Sequence, residues 1–226
     1  MKIIAPSAQI LAMDDGREIL GRLEIAGRTC YRSEEKIMPD SALPFIERIL
    51  RSGHQSVIEH ASATVRFICD RGVSHELVRH RLASFSQEST RYADYSGKRF
   101  GKEITVIRPC FWPEDSPAYA LWLEAVQRAE ERYFALLAEG ASAQQARSVL
   151  PNSLKTEIVV TCNMREWRHI FELRCAPASH PQMREVMLPL LRDMHLRVPA
   201  LFADIHAVFE RDIKECPPSC GAATSP

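Results

Sequence analysis

The stretch Arg79-His80-Arg81-Leu82-Ala83-Ser84-Phe85-Ser86-Gln87-Glu88-Ser89-Thr90-Arg91-Tyr92 gathers three arginines, a histidine, three serines, a glutamine and a glutamate. So many polar side chains could not be buried unpaired, which excludes a core helix. Glycine and proline are absent and arginine is concentrated, which excludes a flexible linker. A dense cationic segment of this kind reads as a binding site for an anion, because a planar guanidinium grips two oxygens at once. Arg79 and Arg81 are two apart and point to different sides of a helix, so they hold one ligand only if the helix ends nearby. From Ser84 on, the serines, Thr90 and Gln87 predict a loop with local backbone caps.

Other chemistry-bearing residues lie near by in the sequence or downstream. His54, His60, His75 and His80 cluster, but neither a His-x-x-x-His pair on a confident helix nor a metal-spaced triad is present, so no metal is expected. A metal-dependent nucleotide hydrolase built on His54, Glu59, His60 and His80 is one rival reading. The other is an RNA-contacting loop in which Phe85 and Tyr92 stack on bases. Neither a Gly-x-Gly-x-x-Gly nor a phosphate-loop lysine motif occurs, so a bound nucleotide would be held by arginines and helix ends. Asn163 stands where a strand passes into a helix, followed by Arg165, Arg174 and His180. Among the seven cysteines, Cys69 and Cys162 fall in strands and read as buried thiols; Cys175, next to Arg174, is the one whose setting could suit a nucleophile.

The elements that must position these residues come from hydrophobic periodicity. Lys2–Pro6 and Ala8–Met13 are extended, and Arg17–Tyr31 is helical through Ile19, Leu20, Leu23, Ile25 and Ala26. A second helix spans Ser41–Leu50, with Ser41 as its cap and Gly53 as its stop. Ala61–Cys69 alternates, placing Ala61, Ala63, Val65, Phe67 and Cys69 on one face of a strand. A helix over Ser74–Arg81 leads into the arginine-rich stretch. Ile104–Ile107 is a short strand, and Ala118–Glu139 the longest amphipathic helix, with Leu121, Val126, Ala129, Phe134 and Leu137 on its apolar stripe. Ala143–Leu150 is a short helix, Thr156–Cys162 a strand and Asn163–Arg174 a helix with Trp167, Ile170, Phe171 and Leu173 in the core. Gln182–Phe209 is helical, interrupted by Pro189 and Pro199, and the tail from about residue 214 is loosely ordered. No internal repeat or interdomain linker is evident, so residues 1–226 make one α+β domain, its mainly antiparallel sheet flanked by long helices.

Hydrophobic residues make up 46% of the 226 and charged residues 26%, as in ordinary globular proteins. Lysine plus arginine equals aspartate plus glutamate at 29 each, which argues against a broad nucleic-acid footprint and makes anion recognition local. An odd, irregular set of cysteines is no disulfide framework. No leader or membrane span is evident, which makes the cytoplasm the expected compartment.

Taken together the motifs resemble the flavin-dependent thymidylate synthase family. Its hallmark, Arg-His-Arg, seven residues, then Ser, stands here as Arg79-His80-Arg81 to Ser89, continuing through Arg91-Tyr92. Upstream, Gly53-His54-Gln55-Ser56-Val57-Ile58-Glu59-His60 is similar to the family's Gly-His-x-Ser/Thr-x-x-Glu-His segment. Downstream lie Ala146-Arg147-Ser148-Val149-Leu150-Pro151, Asn163-Met164-Arg165 and Leu173-Arg174 with His180. The order fits from about residue 17 to about residue 210. The resemblance implies a homotetramer with active sites shared between subunits. It implies FAD as cofactor, NADPH as reductant, methylenetetrahydrofolate as carbon donor and dUMP as acceptor. Carried over by position, Ser56, Glu59, Arg79, His80, Arg81, Asn163, His169, Leu173 and His180 would contact FAD. Glu76, Arg79, Gln87, Glu88, Ser89, Thr90, Arg91, Arg147 and Arg174 would contact dUMP. Three positions depart from some members: Cys30 for serine, Gln87 for glutamate and His169 for asparagine.

Making C5 of uracil nucleophilic needs either a thiolate at C6 or electrostatic polarisation of the ring. No cysteine lies in a recognisable nucleophile setting, so polarisation by Arg174 is expected, a fixed cation stabilising enolate charge. Arg91 and Arg147 are expected on the phosphate. Ser89 has no adjacent base in sequence, so its expected role is positioning rather than covalent attack.

Overall fold

The computed structural model describes residues 1–97 and 101–216. Along the chain lie β1 (Lys2–Ile4), β2 (Ser7–Met13), α1 (Gly16–Thr29), α2 (Ala42–Arg51), β3 (Ser62–Asp70), α3 (Arg71–Leu77), β4 (Ala83–Gln87) and β5 (Thr105–Ile107). They are followed by α4 (Pro117–Ala138), α5 (Ala143–Ala146), β6 (Lys155–Asn163), α6 (Met164–Arg174), α7 (Pro181–Arg197), α8 (Pro199–Val208) and α9 (Glu210–Glu215). Short 3-10 segments occur at Glu34–Lys36, Gln55–His60 and Arg147–Val149. Helix and sheet are mixed, as the α+β expectation requires.

The chain divides into two compact units, each assembled from three stretches of sequence: Met1–Ser7, Phe67–Arg79 and Ser86–Ile158 in the first, and Ala8–Arg66, His80–Phe85 and Val159–Pro226 in the second. Strands β3, β4 and β6 run from one to the other, so neither unit is a continuous segment that could be cut out. In the first unit β1 pairs parallel with β5, Ile3 facing Val106; this small sheet departs from the antiparallel expectation. Its core joins Ile104, Val106, Val126, Tyr133 and Leu154.

The second unit holds most of a four-stranded sheet of order β2-β3-β6-β4. There β3 and β6 are antiparallel: Met164 N–H donates to Ala61 O at 2.9 Å and Thr64 Oγ1 faces Thr161 Oγ1 at 2.9 Å. The predicted alternation holds, with Ala61 just before β3, Ala63 and Val65 of β3, and Val160 and Cys162 of β6 all buried. Helices α1, α2 and α6–α9 complete the unit. Trp167, Ile170 and Phe171 are buried as expected, whereas Leu173 is 49% exposed. Trp167 fixes α6 on the sheet through its Nε1–H, which donates to Ala63 O at 3.1 Å.

Several expectations are corrected. The stretch from Ser84 is not a loop: Ala83–Gln87 is the edge strand β4. An edge strand has one uncovered flank and alternating outward side chains, which accommodates Ser84 and Ser86 without burying them. Helix α3 starts three residues early, because Asp70 caps it by accepting from Val73 N–H at 2.6 Å. It ends at Leu77, so Arg79, His80 and Arg81 lie beyond it. Ser41 sits before α2 but does not cap it; its hydroxyl instead donates to Glu24 Oε2 at 2.9 Å. Pro189 does not interrupt α7, whose buried Val186, Leu188, Leu190 and Leu191 surround the one lost backbone hydrogen bond. Pro199 does interrupt the run as expected: α7 ends at Arg197 and Pro199 opens α8, where a missing N–H is harmless. On α4 the stripe is rotated: Leu121 is 69% exposed and Tyr133 fully buried. On α1, Ile25 is exposed while Glu24 is buried against Arg28. Helix α9 continues to Glu215, so the tail is helical to that point; residues 217–226, with Cys220, lie outside the described residues.

Candidate functional site

In the second unit the hallmark histidine is the centre of a buried polar relay. His80 is 5% exposed. Its Nε2 accepts from Arg174 Nε at 2.9 Å, and its Nδ1 lies 3.5 Å from Glu166 Oε1. Accepting at Nε2 leaves the ring proton on Nδ1, toward Glu166, the tautomer this network assigns. Burial, then the Arg174 cation and then His169, push the His80 pKa down to about 4. The ring is therefore neutral near pH 7, which is the state that can accept from a guanidinium. Burial raises the Glu166 carboxyl above its ordinary value. His169 packs edge-on to His80 with ring centroids 5.9 Å apart.

Helix α6 supplies most of this arrangement because its N-cap is well made. Asn163 Oδ1 accepts from Glu166 N–H at 2.9 Å, and the regular turns that follow carry Arg165, His169 and Glu172. These three, with Gln55, Glu59, Leu82 and Asn163, help line a cleft of about 520 Å³. Arg165 Nη1 reaches Glu59 Oε1 at 2.6 Å. A second recess of about 390 Å³ shares Gln55 and Arg165 and is lined further by Cys30, His54 and Ser56. Two polar hollows with donors on Gln55, Asn163 and Arg165 suit a long, oxygen-rich cofactor such as a flavin dinucleotide.

In the first unit, β4 and the turn after it arrange a second set. Gln87 Nε2 donates to Ser74 Oγ at 2.9 Å and to Thr156 Oγ1 at 3.2 Å. Glu88 Oε2 accepts from Lys155 Nζ at 3.0 Å, and that ammonium also holds Glu157 at 2.7 Å. Thr90 is buried, and its Oγ1 accepts from Arg147 Nη1 at 3.2 Å. Ser89 Oγ accepts from Arg91 N–H at 3.3 Å, with no imidazole or carboxylate bonded to it among the described residues. Arg79, Arg91 and Arg147 are exposed and, among the described residues, have no carboxylate within ion-pair reach.

A family model described as thymidylate synthase complementing protein matches residues 15–200. The flavin-dependent thymidylate synthase of Geobacter sulfurreducens is 36% identical over 187 residues, 80% of this chain and 79% of that one. The enzyme of the same name from Corynebacterium aurimucosum is 36% identical over 221 residues, covering 89% and 86%. The chain belongs to the flavin-dependent thymidylate synthase family. It is an enzyme of that kind. A solved structure, the UMP/dUMP methylase PolB from Streptomyces cacaoi with 5-Br dUMP, is similar in fold, with a TM-score of 0.73 at 21% identity over 93% of this chain and 99% of that one.

The residues expected to serve the flavin of this family fall almost wholly in the second unit: Ser56, Glu59, His80, Arg81, Asn163, His169, Leu173 and His180, with Arg79 in the first. Glu59, Asn163 and His169 line the larger cleft and Ser56 the smaller recess. Arg81, Leu173 and His180 line neither; His180 caps α7, its Nδ1 accepting from Gln182 N–H at 3.3 Å. Of the nucleotide set, Glu76, Arg79, Gln87, Glu88, Ser89, Thr90, Arg91 and Arg147 belong to the first unit and Arg174 to the second. Sequence reasoning missed Glu166 and Lys155. Glu166 stands three residues after Asn163 and reads as an ordinary first-turn acid; Lys155 shows itself only once β4 and β6 are paired. Cys175 loses its claim as a nucleophile, since burial pushes its thiol up to about 12. Cys69 is likewise at about 12 and Cys162 is raised, both by burial. Cys30 lines the smaller recess. His54, Glu59, His60 and His80 are not gathered into a metal-holding group; none of three or more such side chains occurs among the described residues.

Proposed function

We propose that the chain converts dUMP to dTMP, with methylenetetrahydrofolate as carbon donor, NADPH as reductant and bound FAD. When bound, the flavin supplies the hydride chemistry. Gln55, Glu59, Asn163, Arg165 and His169 hold it along the polar cleft, with Ser56 in the adjoining recess. The observation that carries this reading is the Arg174–His80–Glu166 relay. A neutral, buried imidazole holds the guanidinium at Nε. A cation oriented before the reaction needs no reorganisation as enolate charge develops on a pyrimidine. That is what activation of C5 without a thiolate requires, and the buried thiols, raised by desolvation, accord with a route that uses no cysteine.

Arg91 and Arg147 hold the phosphate in this reading. Thr90 steadies the Arg147 fork, and Gln87, Glu88 and Ser89 position the nucleotide together with Glu76 and Arg79. Arg81, Leu173 and His180 complete the flavin contacts. Residues 1–226 act as one domain within a homotetramer whose sites draw on more than one subunit, in the cytoplasm. No helix among the described residues is long and apolar enough to cross a membrane. Neither the RNA reading nor the metal-hydrolase reading gains an observation of its own.

The visible spectrum of the purified protein tests the proposal. A flavin spectrum that bleaches with NADPH and responds to dUMP is expected. A protein that stays colourless after incubation with FAD would overturn it.

A further inference from the structure

A third hollow in the second unit, of about 510 Å³, adjoins the smaller recess described above. It lies among the end of α1, the segment after it and α2. Arg28, Tyr31, Lys36, Phe45, Arg48 and His54 give it its character. No carboxylate lines it. Arg28 is buried and already matched: Nε and Nη2 bind Glu24 Oε1 at 2.7 and 2.6 Å. Glu24 Oε2 is taken by Ser41 Oγ, so this pair contributes no net charge. Lys36 and Arg48 remain, exposed and without an ion-pair partner among the described residues. Glu34, Glu35 and Glu47, their neighbours in sequence, do not line the hollow and pair with neither.

The arginines are oriented by an aromatic ring. The Arg28 guanidinium lies 4.7 Å from the centroid of Phe45, and that of Arg48 5.4 Å from it. A guanidinium resting on a ring keeps its N–H edge free for a planar, two-oxygen contact. Tyr31 stands at the rim, 67% exposed, and with His54 and Ile49 it lines both this hollow and the 390 Å³ recess that holds Ser56. An exposed ring beside two unmatched cations is suited to a base carrying a phosphate.

The geometry points to a subsite for an adenosine phosphomonoester, the 2′-phosphorylated end of a nicotinamide dinucleotide. Lys36 and Arg48 take the phosphate and Tyr31 stacks on the adenine. This rests on the reading of the reductant as NADPH, and it would make the enzyme prefer NADPH over NADH.

The test is calorimetric binding of adenosine 2′,5′-bisphosphate and of 5′-AMP to the protein as purified, at one fixed salt concentration, with flavin content read from the visible spectrum. The bisphosphate is expected to bind about tenfold more tightly. Arg48→Ala and Lys36→Ala should abolish that ratio while leaving flavin content and dUMP affinity unchanged. Equal affinity for the two nucleotides overturns the proposal. So does displacement of the bisphosphate by triglutamate at similar concentration, which would assign the hollow to a polyglutamyl tail. An Arg48→Ala variant that lowers Tm but keeps the ratio also overturns it, since Arg48 then only serves the C-terminal end of α2. A bisphosphate preference that depends on Arg48 in a protein that neither loads flavin nor oxidises NADPH sustains the subsite and removes the functional reading. The reverse result, full activity with no preference, does the opposite.

Discussion

Two groups of arginines, one in each unit, are built in opposite ways. Arg174 is held at Nε by a buried imidazole that is itself backed by a buried carboxylate. Arg91 and Arg147 stand exposed; one leans toward the Tyr92 ring, centroid 5.5 Å away, and the other holds a single threonine hydroxyl at 3.2 Å. The first arrangement fixes a cation in direction as well as charge. The second offers charge with rotational freedom. Polarising a ring depends on where the cation points, because the developing charge sits on one oxygen. Gripping a phosphate depends far less on direction, because three oxygens share the charge. The difference therefore assigns the task that needs preorganisation to Arg174 and the grip to the exposed pair.

Removing the fixed cation should have the largest effect. Arg174→Ala should lower kcat on the order of a thousandfold, about 4 kcal/mol of transition-state stabilisation. Arg174→Lys keeps the charge but cannot reproduce the Nε contact to His80, and should recover only a small part of that loss. A lysine variant with near-normal turnover would show that direction is unimportant and would erase the contrast. His80 comes next. His80→Phe removes the acceptor at Arg174 Nε and should cost about tenfold to a hundredfold in kcat with flavin still bound, measured at saturating dUMP.

The same histidine sets a pH dependence whose sign follows from its lowered pKa. Unfolded, it titrates near 6.5; folded, near 4. Between these values the unfolded chain binds the proton and the folded chain does not. Stability is thus full above pH 6.5, falls as pH drops toward 4 and levels off below it, by up to about 3 kcal/mol. His80→Asn should flatten that portion of the Tm-against-pH curve. An unchanged slope would place the titrating group elsewhere and deprive Arg174 of its neutral anchor.

How much of this was legible in the sequence follows from what sets each feature. Strands β3 and β6 were readable because their faces alternate between a dry and a wetter side, a period of two that needs no tertiary context. Helix α6 was readable from Asn163 and its apolar stripe. Strand β4 was not, because an edge strand carries serines like a loop does and only its partner β6 distinguishes the two. Pro189 was misread for a related reason: burial on several sides of α7 outweighs one missing hydrogen bond. In the site, types and order pointed to Arg174, His80 and Asn163. They could not show that His80 faces Arg174, since the two are 94 positions apart and meet only in the fold. Glu166 and Lys155 were invisible for the same reason, each defined by a partner distant in sequence or across a sheet.

The exposed pair supplies the smaller effects that sharpen the comparison. Arg147→Ala should raise KM for dUMP about tenfold, some 1.4 kcal/mol, and leave kcat within about threefold, because grip on a phosphate is felt equally in ground and transition states. A fall in kcat with unchanged KM would mean that Arg147 is as directional as Arg174.

Ser89→Ala should have the least effect, a change of a few-fold in kcat/KM. Its Oγ accepts from Arg91 N–H and meets no base among the described residues, and a hydroxyl without a base is a poor nucleophile. Replacing it with alanine removes one acceptor from an exposed turn, where water can satisfy the freed N–H. A covalent role predicts instead that the alanine variant is dead and accumulates no reaction intermediate in a rapid-quench experiment. That outcome would move the chemistry from the second unit's fixed arginine to the first unit's serine, and Arg174 would then be left as a second grip on the nucleotide.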